Sequence, residues 1–181
     1  TYDIGGSVPQ IQGEMDFVGD SDDPSKVILT KTSGGSVLSL SSAADVSFDG
    51  VTITGGNNST GGLGGGILNG GGDLEINNSM INDNSSSAVG GGIYSNGNVT
   101  LNNVSLKDNS SHTGGAIFLN GGTLSLNRVT ISGNTATNTG GGIANQGATA
   151  ITVLNTTFAQ NEATGDGGGF SNTGDATVTI T

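Results

Sequence analysis

The chain has 181 residues, enough for one domain, and its 15 acidic and 4 basic side chains give a formal net charge of −11. This charge, without a basic stripe, argues against a nucleic acid or an anionic membrane surface as partner, and no run of 18 apolar residues exists to insert into a membrane. Cysteine is absent, which excludes a disulfide framework and thiolate metal sites, while the low charged fraction of 10% is typical of secreted or cell-surface repeat proteins.

Residues 1–34 do not fit the repeat that follows, and we interpret them as an irregular N-terminal capping coil. Gly5–Pro9 is predicted to be a turn or an edge. The alternation from Ile11 to Gly19 predicts one or two strands, and Val27–Leu29 predicts a buried strand. A terminal coil of a stacked array is often atypical, because one of its faces has no neighbouring coil.

An acidic turn lies within this capping coil. Asp20, Asp22 and Asp23 form a candidate calcium loop, since closely spaced carboxylates suit a hard cation. The turn lacks the twelfth-position glutamate of an EF-hand and the nonapeptide repeat of calcium β-rolls. The alternative is a solvated acidic turn ahead of Pro24. Apart from this candidate calcium ion, no cofactor is expected.

Residues 35–181 are predicted to form a parallel β-helix that becomes regular from residue 64. Its first, transitional coil contains predicted strands at 37–40, 46–48 and 51–54, followed by a flexible corner at 55–63. The regular part repeats a glycine-rich element that ends on one apolar anchor residue. Successive anchors are 26, 24, 26 and 27 residues apart, and they are Ile67, Ile93, Ile117, Ile143 and Phe170.

Each repeat contains three short period-2 apolar runs bounded by glycine, asparagine and serine, and no window has helical periodicity. Three short strands per 24–27 residues predict one coil of an all-β parallel β-helix with about six coils. Each strand then pairs with its copy in the next coil at about 4.8 Å, so that like residues stack in columns.

One asparagine recurs three residues after the last large apolar residue of each repeat. We predict that these asparagines form a ladder at a tight corner, where their amides bond to one another and to the backbone. The predicted ladder consists of Asn84, Asn109, Asn134 and Asn161.

The last run, residues 176–181, stops halfway round a coil. Such an end would leave strand edges and apolar columns uncovered. The expectation is self-association, either end to end or by an N-terminal strand of another copy on the open C-terminal coil, which would produce a surface fibre.

Few residues offer catalytic chemistry. Asp83 and Asp108 are 25 residues apart, so they fall in one column of adjacent coils, where paired carboxylates allow acid–base chemistry on a saccharide. The alternative, non-catalytic interpretation is that both are solvated corner residues. His112 is the only histidine, and an exposed loop position accounts for it better than a catalytic dyad. Thr-x-Thr runs at 52–54 and 177–181 do not recur in the coils between them, so strand propensity explains them better than ice binding.

The Gly-Gly-Gly-Ile, Asn-Gly, Leu-x-Leu-Asn-Asn-Val-x-Leu and trailing Asn elements together resemble the right-handed parallel β-helix repeats of bacterial cell surfaces, as in polymorphic outer-membrane-protein repeats and large adhesins. The resemblance implies a non-enzymatic extracellular structural or adhesive module, with surface glycans as candidate partners. The same fold also carries polysaccharide-cleaving and carbohydrate-binding proteins, which is the alternative function.

Overall fold

The computed structural model describes residues 1–3 and 10–181. The turn or edge predicted at Gly5–Pro9 lies outside the described residues. The described residues form short strands and one 3-10 turn at Pro24–Lys26, joined by turns and loops. None of its described helices has the length and hydropathy to cross a membrane.

The described strands form four sheets, in which each strand pairs in parallel with its counterpart in a neighbouring coil. Sheet I contains the anchor strands Leu38–Leu40, Ile67–Asn69, Ile93–Ser95, Ile117–Leu119, Ile143–Asn145 and Phe170–Asn172. Sheet II contains Glu14–Val18, Asp45–Asp49, Leu74–Asn77, Val99–Asn102, Thr123–Asn127, Ala150–Leu154 and Thr177–Ile180. Sheet III contains Tyr2–Asp3, Ile28–Thr30, Thr52–Thr54, Met80–Asn82, Ser105–Lys107, Thr130–Ser132 and Thr157–Ala159. Sheet IV contains Asn57–Asn58, Ser85–Ser86, Ser110–Ser111, Thr135–Ala136 and Glu162–Ala163.

This arrangement confirms the predicted all-β parallel β-helix of about six coils. The prediction of three strands per coil was wrong, because each regular coil also contains a two-residue strand in sheet IV. The segment 55–63, predicted to be a flexible corner, contains the first of these strands, Asn57–Asn58. These strands are short and rich in serine and asparagine, so they lack the apolar alternation by which a strand is recognised in a sequence.

The core is a set of apolar columns that run along the axis of the stack. Ile67, Ile93, Ile117 and Ile143 pair in register in sheet I, and each is fully buried. Leucine, isoleucine and valine side chains of sheets II and III complete the same core cluster. Because the coils have similar lengths and pair in parallel, equivalent residues of successive coils stack on one another. Each coil therefore buries the apolar face of its neighbour.

Left-handed backbone recurs at three corners of every regular coil. The corner between sheets II and III is formed by Gly50, Asn78, Asn103, Arg128 and Asn155. The corner between sheets III and IV is formed by Gly55, Asp83, Asp108, Gly133 and Gln160. The corner that precedes sheet I is formed by Gly64, Gly90, Gly114, Gly140 and Gly167. Most of these residues tolerate positive φ, which explains why glycine and asparagine repeat with the coil period.

A second, smaller apolar cluster lies on the outer side of sheet I. The rings of Tyr94 and Phe118 stack with centroids 5.8 Å apart, beside Ala144, and Leu68 and Val89 pack against them. Both rings are almost completely buried although they point away from the main core. Sheet I is therefore apolar on both faces over its middle coils.

Candidate functional site

A ladder of four asparagine side chains runs inside the stack, next to sheet IV. The Nδ2 groups of Asn84, Asn109 and Asn134 each donate to the Oδ1 atom of the next asparagine, at 3.1, 3.0 and 2.9 Å, and Asn161 is the last acceptor. Each Oδ1 also accepts the backbone N–H of the residue in the preceding coil, at 3.0–3.1 Å. Asn84, Asn109 and Asn134 are at most 1% exposed. The ladder thus satisfies buried backbone groups where the chain turns into sheet IV.

The three acidic residues of the candidate calcium loop do not converge on a common point. The Asp20 carboxylate accepts the N–H groups of Asp22 and Asp23, and its Oδ2 atom lies 2.8 Å from Lys26 Nζ. Asp23 accepts the backbone N–H of Ser25 at the start of the 3-10 turn. Within the part of the chain that the structure describes, no three His, Cys, Asp or Glu side chains are grouped so as to hold a metal ion.

The Lys26 hydrogen bond, assisted by the backbone N–H groups of Asp22 and Asp23, lowers the pKa of Asp20 below its usual value of 3.8. In turn, the bond to Asp20 raises the pKa of Lys26 above 10.5. A lowered carboxyl pKa stabilises the fold above the pKa of the unfolded chain, and this stabilisation is lost as pH falls through the folded-state pKa.

We therefore expect Asp20→Asn to lower the melting temperature at pH 7 slightly and to reduce the further loss of stability below about pH 4. The effect is small because both side chains are exposed to solvent. Thermal melts of the two proteins between pH 7 and pH 3 measure it, with Asp166→Asn, an exposed acid outside this loop, as the control. Parallel pH profiles for all three proteins would contradict the assignment.

The pair predicted for saccharide chemistry lies side by side in the structure. Asp83 and Asp108 follow the paired strands Met80–Asn82 and Ser105–Lys107, and both have left-handed backbone, with φ of 56° and 54°. Asn82 donates to Asp83, and Lys107 lies 3.3 Å from Asp108. Both carboxylates are exposed at a corner. His112 is also exposed, and its Nδ1 atom lies 2.9 Å from Thr137 Oγ1 in the next coil.

A concave acidic surface that the sequence analysis did not single out lies on the outer face of sheet II. It encloses about 450 Å³. Its acidic lining residues are Glu14, Asp16, Asp45, Asp73 and Glu75. The following coils replace these acids with Asn98, Thr100 and Thr123. Asn98 donates to Asp73 Oδ1, and Thr123 Oγ1 donates to Asn98 Oδ1. We call this surface the acidic groove. Side chains two residues apart on a strand share a face of the sheet, so this alternation and the alignment of the repeats could have located the groove from the sequence.

A second, smaller concavity lies where the loop at residues 20–26 meets sheet III. It encloses about 290 Å³. One side is formed by Ser21, Asp22 and Pro24, the floor by Met80, Ser105 and Thr130, and the other side by Asn78, Ser79, Asn103, Val104 and Arg128. We call it the loop cleft. Sequence analysis missed it because its two sides are more than 50 residues apart in the chain.

A family model described as a right handed beta helix region matches residues 18–180. The match covers the second half of the capping coil and the rest of the stack up to residue 180. No curated protein and no solved structure matches the chain significantly.

Proposed function

The chain belongs to the right-handed β-helix family, and on this premise we propose that it is a non-enzymatic structural or adhesive rod of the bacterial cell surface or its secreted material. The observation that carries the proposal is the uninterrupted stack of matching columns. Seven strands of sheet II follow one another in register, which corresponds to a rod about 29 Å long at about 4.8 Å per coil. Repetition in one dimension builds length and an extended surface.

The interior supports a mechanical role. Apolar columns and the asparagine ladder both run along the axis, so that the inner coils to which Asn109 and Asn134 belong are bonded to both neighbours by backbone and side-chain hydrogen bonds. Only 10% of the residues are charged, so the outer surface consists mostly of uncharged serine, threonine, asparagine and glycine, a composition more typical of secreted repeat proteins than of globular domains, in which about 25% of residues are charged. Eight of the 15 acidic residues lie in the acidic groove or the acidic loop.

Pulling the chain from its two ends in a single-molecule force experiment tests the rod. Each coil has 24–27 residues, so release of one coil is expected to lengthen the chain by about 80–95 Å. We expect a series of force peaks with this spacing. Extension without resolved peaks would argue against a load-bearing role.

The alternative is carbohydrate binding or cleavage, favoured by the adjacent carboxylates of Asp83 and Asp108. Incubation with a panel of neutral and acidic polysaccharides, followed by measurement of new reducing ends, separates the two functions. We expect no turnover. Turnover that disappears in Asp83→Asn or Asp108→Asn, while Asp166→Asn retains it, would establish the enzyme instead.

A further inference from the structure

The loop cleft combines side chains of different chemistry around one small concavity. Its lining includes the acidic Asp22 on the loop, the basic Arg128 on a corner of the stack and the partly buried Met80 of sheet III. The loop side is fixed to the stack, because Thr52 Oγ1 donates to the carbonyl oxygen of Pro24 at 2.9 Å and the backbone N–H of Thr52 donates to Val27 at 2.8 Å. The cleft is therefore a feature of the folded stack.

Asparagine amides provide a hydrogen-bonding wall for the cleft. Asn103 Nδ2 donates to Asn78 Oδ1 at 2.9 Å, and Asn78 Nδ2 donates to Asp49 Oδ1 at 2.8 Å. This chain of bonds fixes the orientation of both amides. Asn103, at the end of the chain of bonds, is exposed and occupies the corner position of Arg128 in the adjacent coil.

Arg128 is an exception in its own column. The other residues of this corner are glycine or asparagine, which adopt positive φ readily, whereas Arg128 has φ of 56°. A residue held in unfavourable backbone at the edge of a cleft is a marker of function when stability alone would favour another residue. Asparagine is the residue that the fold prefers at this corner.

Arg128 is also an exposed basic residue whose side chain has no partner among the described residues. Lys26 and Lys107 lie within 4 Å of carboxylates, and Lys31 is 9% exposed. Within residues 1–3 and 10–181, the Arg128 side chain forms no ion pair and no side-chain hydrogen bond, although the chain carries 15 acids. Its five N–H donors are thus available to a ligand.

We infer that the loop cleft binds one carboxylate-bearing sugar residue of a glycan, with Arg128 as the anchor of the carboxylate. The inference rests on the adhesive part of the proposed function and gives it a ligand. A guanidinium matches a carboxylate through two parallel hydrogen bonds. The amides, Ser105 and Thr130 supply donors and acceptors for ring hydroxyls, Asp22 accepts a hydroxyl proton, and Met80 offers an apolar contact to a ring face.

Charge favours a single carboxylate over a phosphate. The cleft has one cation and one nearby anion, in a chain of net charge −11. A doubly charged phosphate is repelled more strongly by this field than a singly charged sugar acid. A mostly polar cleft of about 290 Å³ has the size of a single sugar ring.

The test uses the fact that Arg128 is the only arginine in the chain, so that its Nε–H group gives a single side-chain NMR signal. We expect this signal to shift during titration with sodium glucuronate and to remain in place with glucose. Arg128→Asn is expected to weaken glucuronate binding about tenfold or more, measured through ligand signals. Lys107→Gln removes a base outside the cleft and is expected to leave the affinity unchanged.

Arg128→Asn is also expected to raise the melting temperature by a few degrees, because it restores the residue that the corner prefers. Higher stability combined with lost binding distinguishes a ligand anchor from a structural residue. An Nε–H signal unmoved by glucuronate, or moved equally by inorganic phosphate, would overturn the inference. So would a lower melting temperature or unchanged binding in Arg128→Asn. None of these outcomes affects the force peaks that test the rod.

Discussion

Replacement of Asn109 by alanine is expected to lower the free energy of unfolding by roughly 3–5 kcal/mol. Asn109 Oδ1 accepts from both the backbone N–H and the Nδ2 group of Asn84, each at 3.1 Å. Its Nδ2 group donates to the carbonyl oxygen of Ile81 at 2.9 Å and to Asn134 Oδ1 at 3.0 Å. Alanine removes all four bonds and leaves their partners buried without replacements, and each unpaired buried group costs about 1–3 kcal/mol.

The matched control for this variant is Asn120→Ala. Asn120 is exposed, and its Nδ2 group donates to Asn96 Oδ1 in the preceding coil at 2.8 Å. We expect this variant to lose less than about 1 kcal/mol, since water replaces the lost partner. Urea unfolding followed by far-UV circular dichroism measures both variants. Equal losses would show that the interior asparagines fill space and that their hydrogen bonds contribute no special stability.

The asparagines and the anchor isoleucines illustrate what a repeated sequence reveals. In a stack of parallel coils, residues one period apart become neighbours, so the period alone places Ile93 beside Ile67 and Asn109 beside Asn84. Nothing further about the path of the chain is needed to predict these columns. The two-residue strands of sheet IV were missed because the backbone of neighbouring coils aligns them, and their own side chains carry little strand signal.

The loop cleft shows the opposite case. Asp22 belongs to the irregular coil, which has no repeat to align it, whereas Arg128 belongs to a regular corner several coils away along the chain. Their common location follows from the way the loop folds over Thr52, a contact that no periodicity encodes. The one local indication of the cleft in the sequence is Arg128, which stands in a column of glycine and asparagine. This indicates a functional residue only once the positive φ of Arg128 is known.

Gly115→Ala is expected to cost at least about 3 kcal/mol, although φ at this position is ordinary and only space is lacking. An added Cβ atom at Gly115 would lie 2.2 Å from the carbonyl oxygen of Gly141 and 2.6 Å from that of Thr135. Both atoms belong to the backbone of the next coil, which is held by ladder hydrogen bonds on every side. The coils must therefore separate locally, and the apolar columns on either side lose contact.

The neighbouring column supplies the control for this variant. Gly92 aligns with Ala116 in the next coil, and Ala116 is completely buried there, so a Cβ atom is already accommodated at this position of the repeat. An added Cβ at Gly92 approaches one carbonyl oxygen, that of Ala116, at 2.7 Å. We expect Gly92→Ala to cost about 1 kcal/mol, a third or less of the cost at Gly115. Thermal unfolding of the two variants compares them directly. If Gly115→Ala melts as high as Gly92→Ala, the coils are not packed as closely along the axis as their columns require.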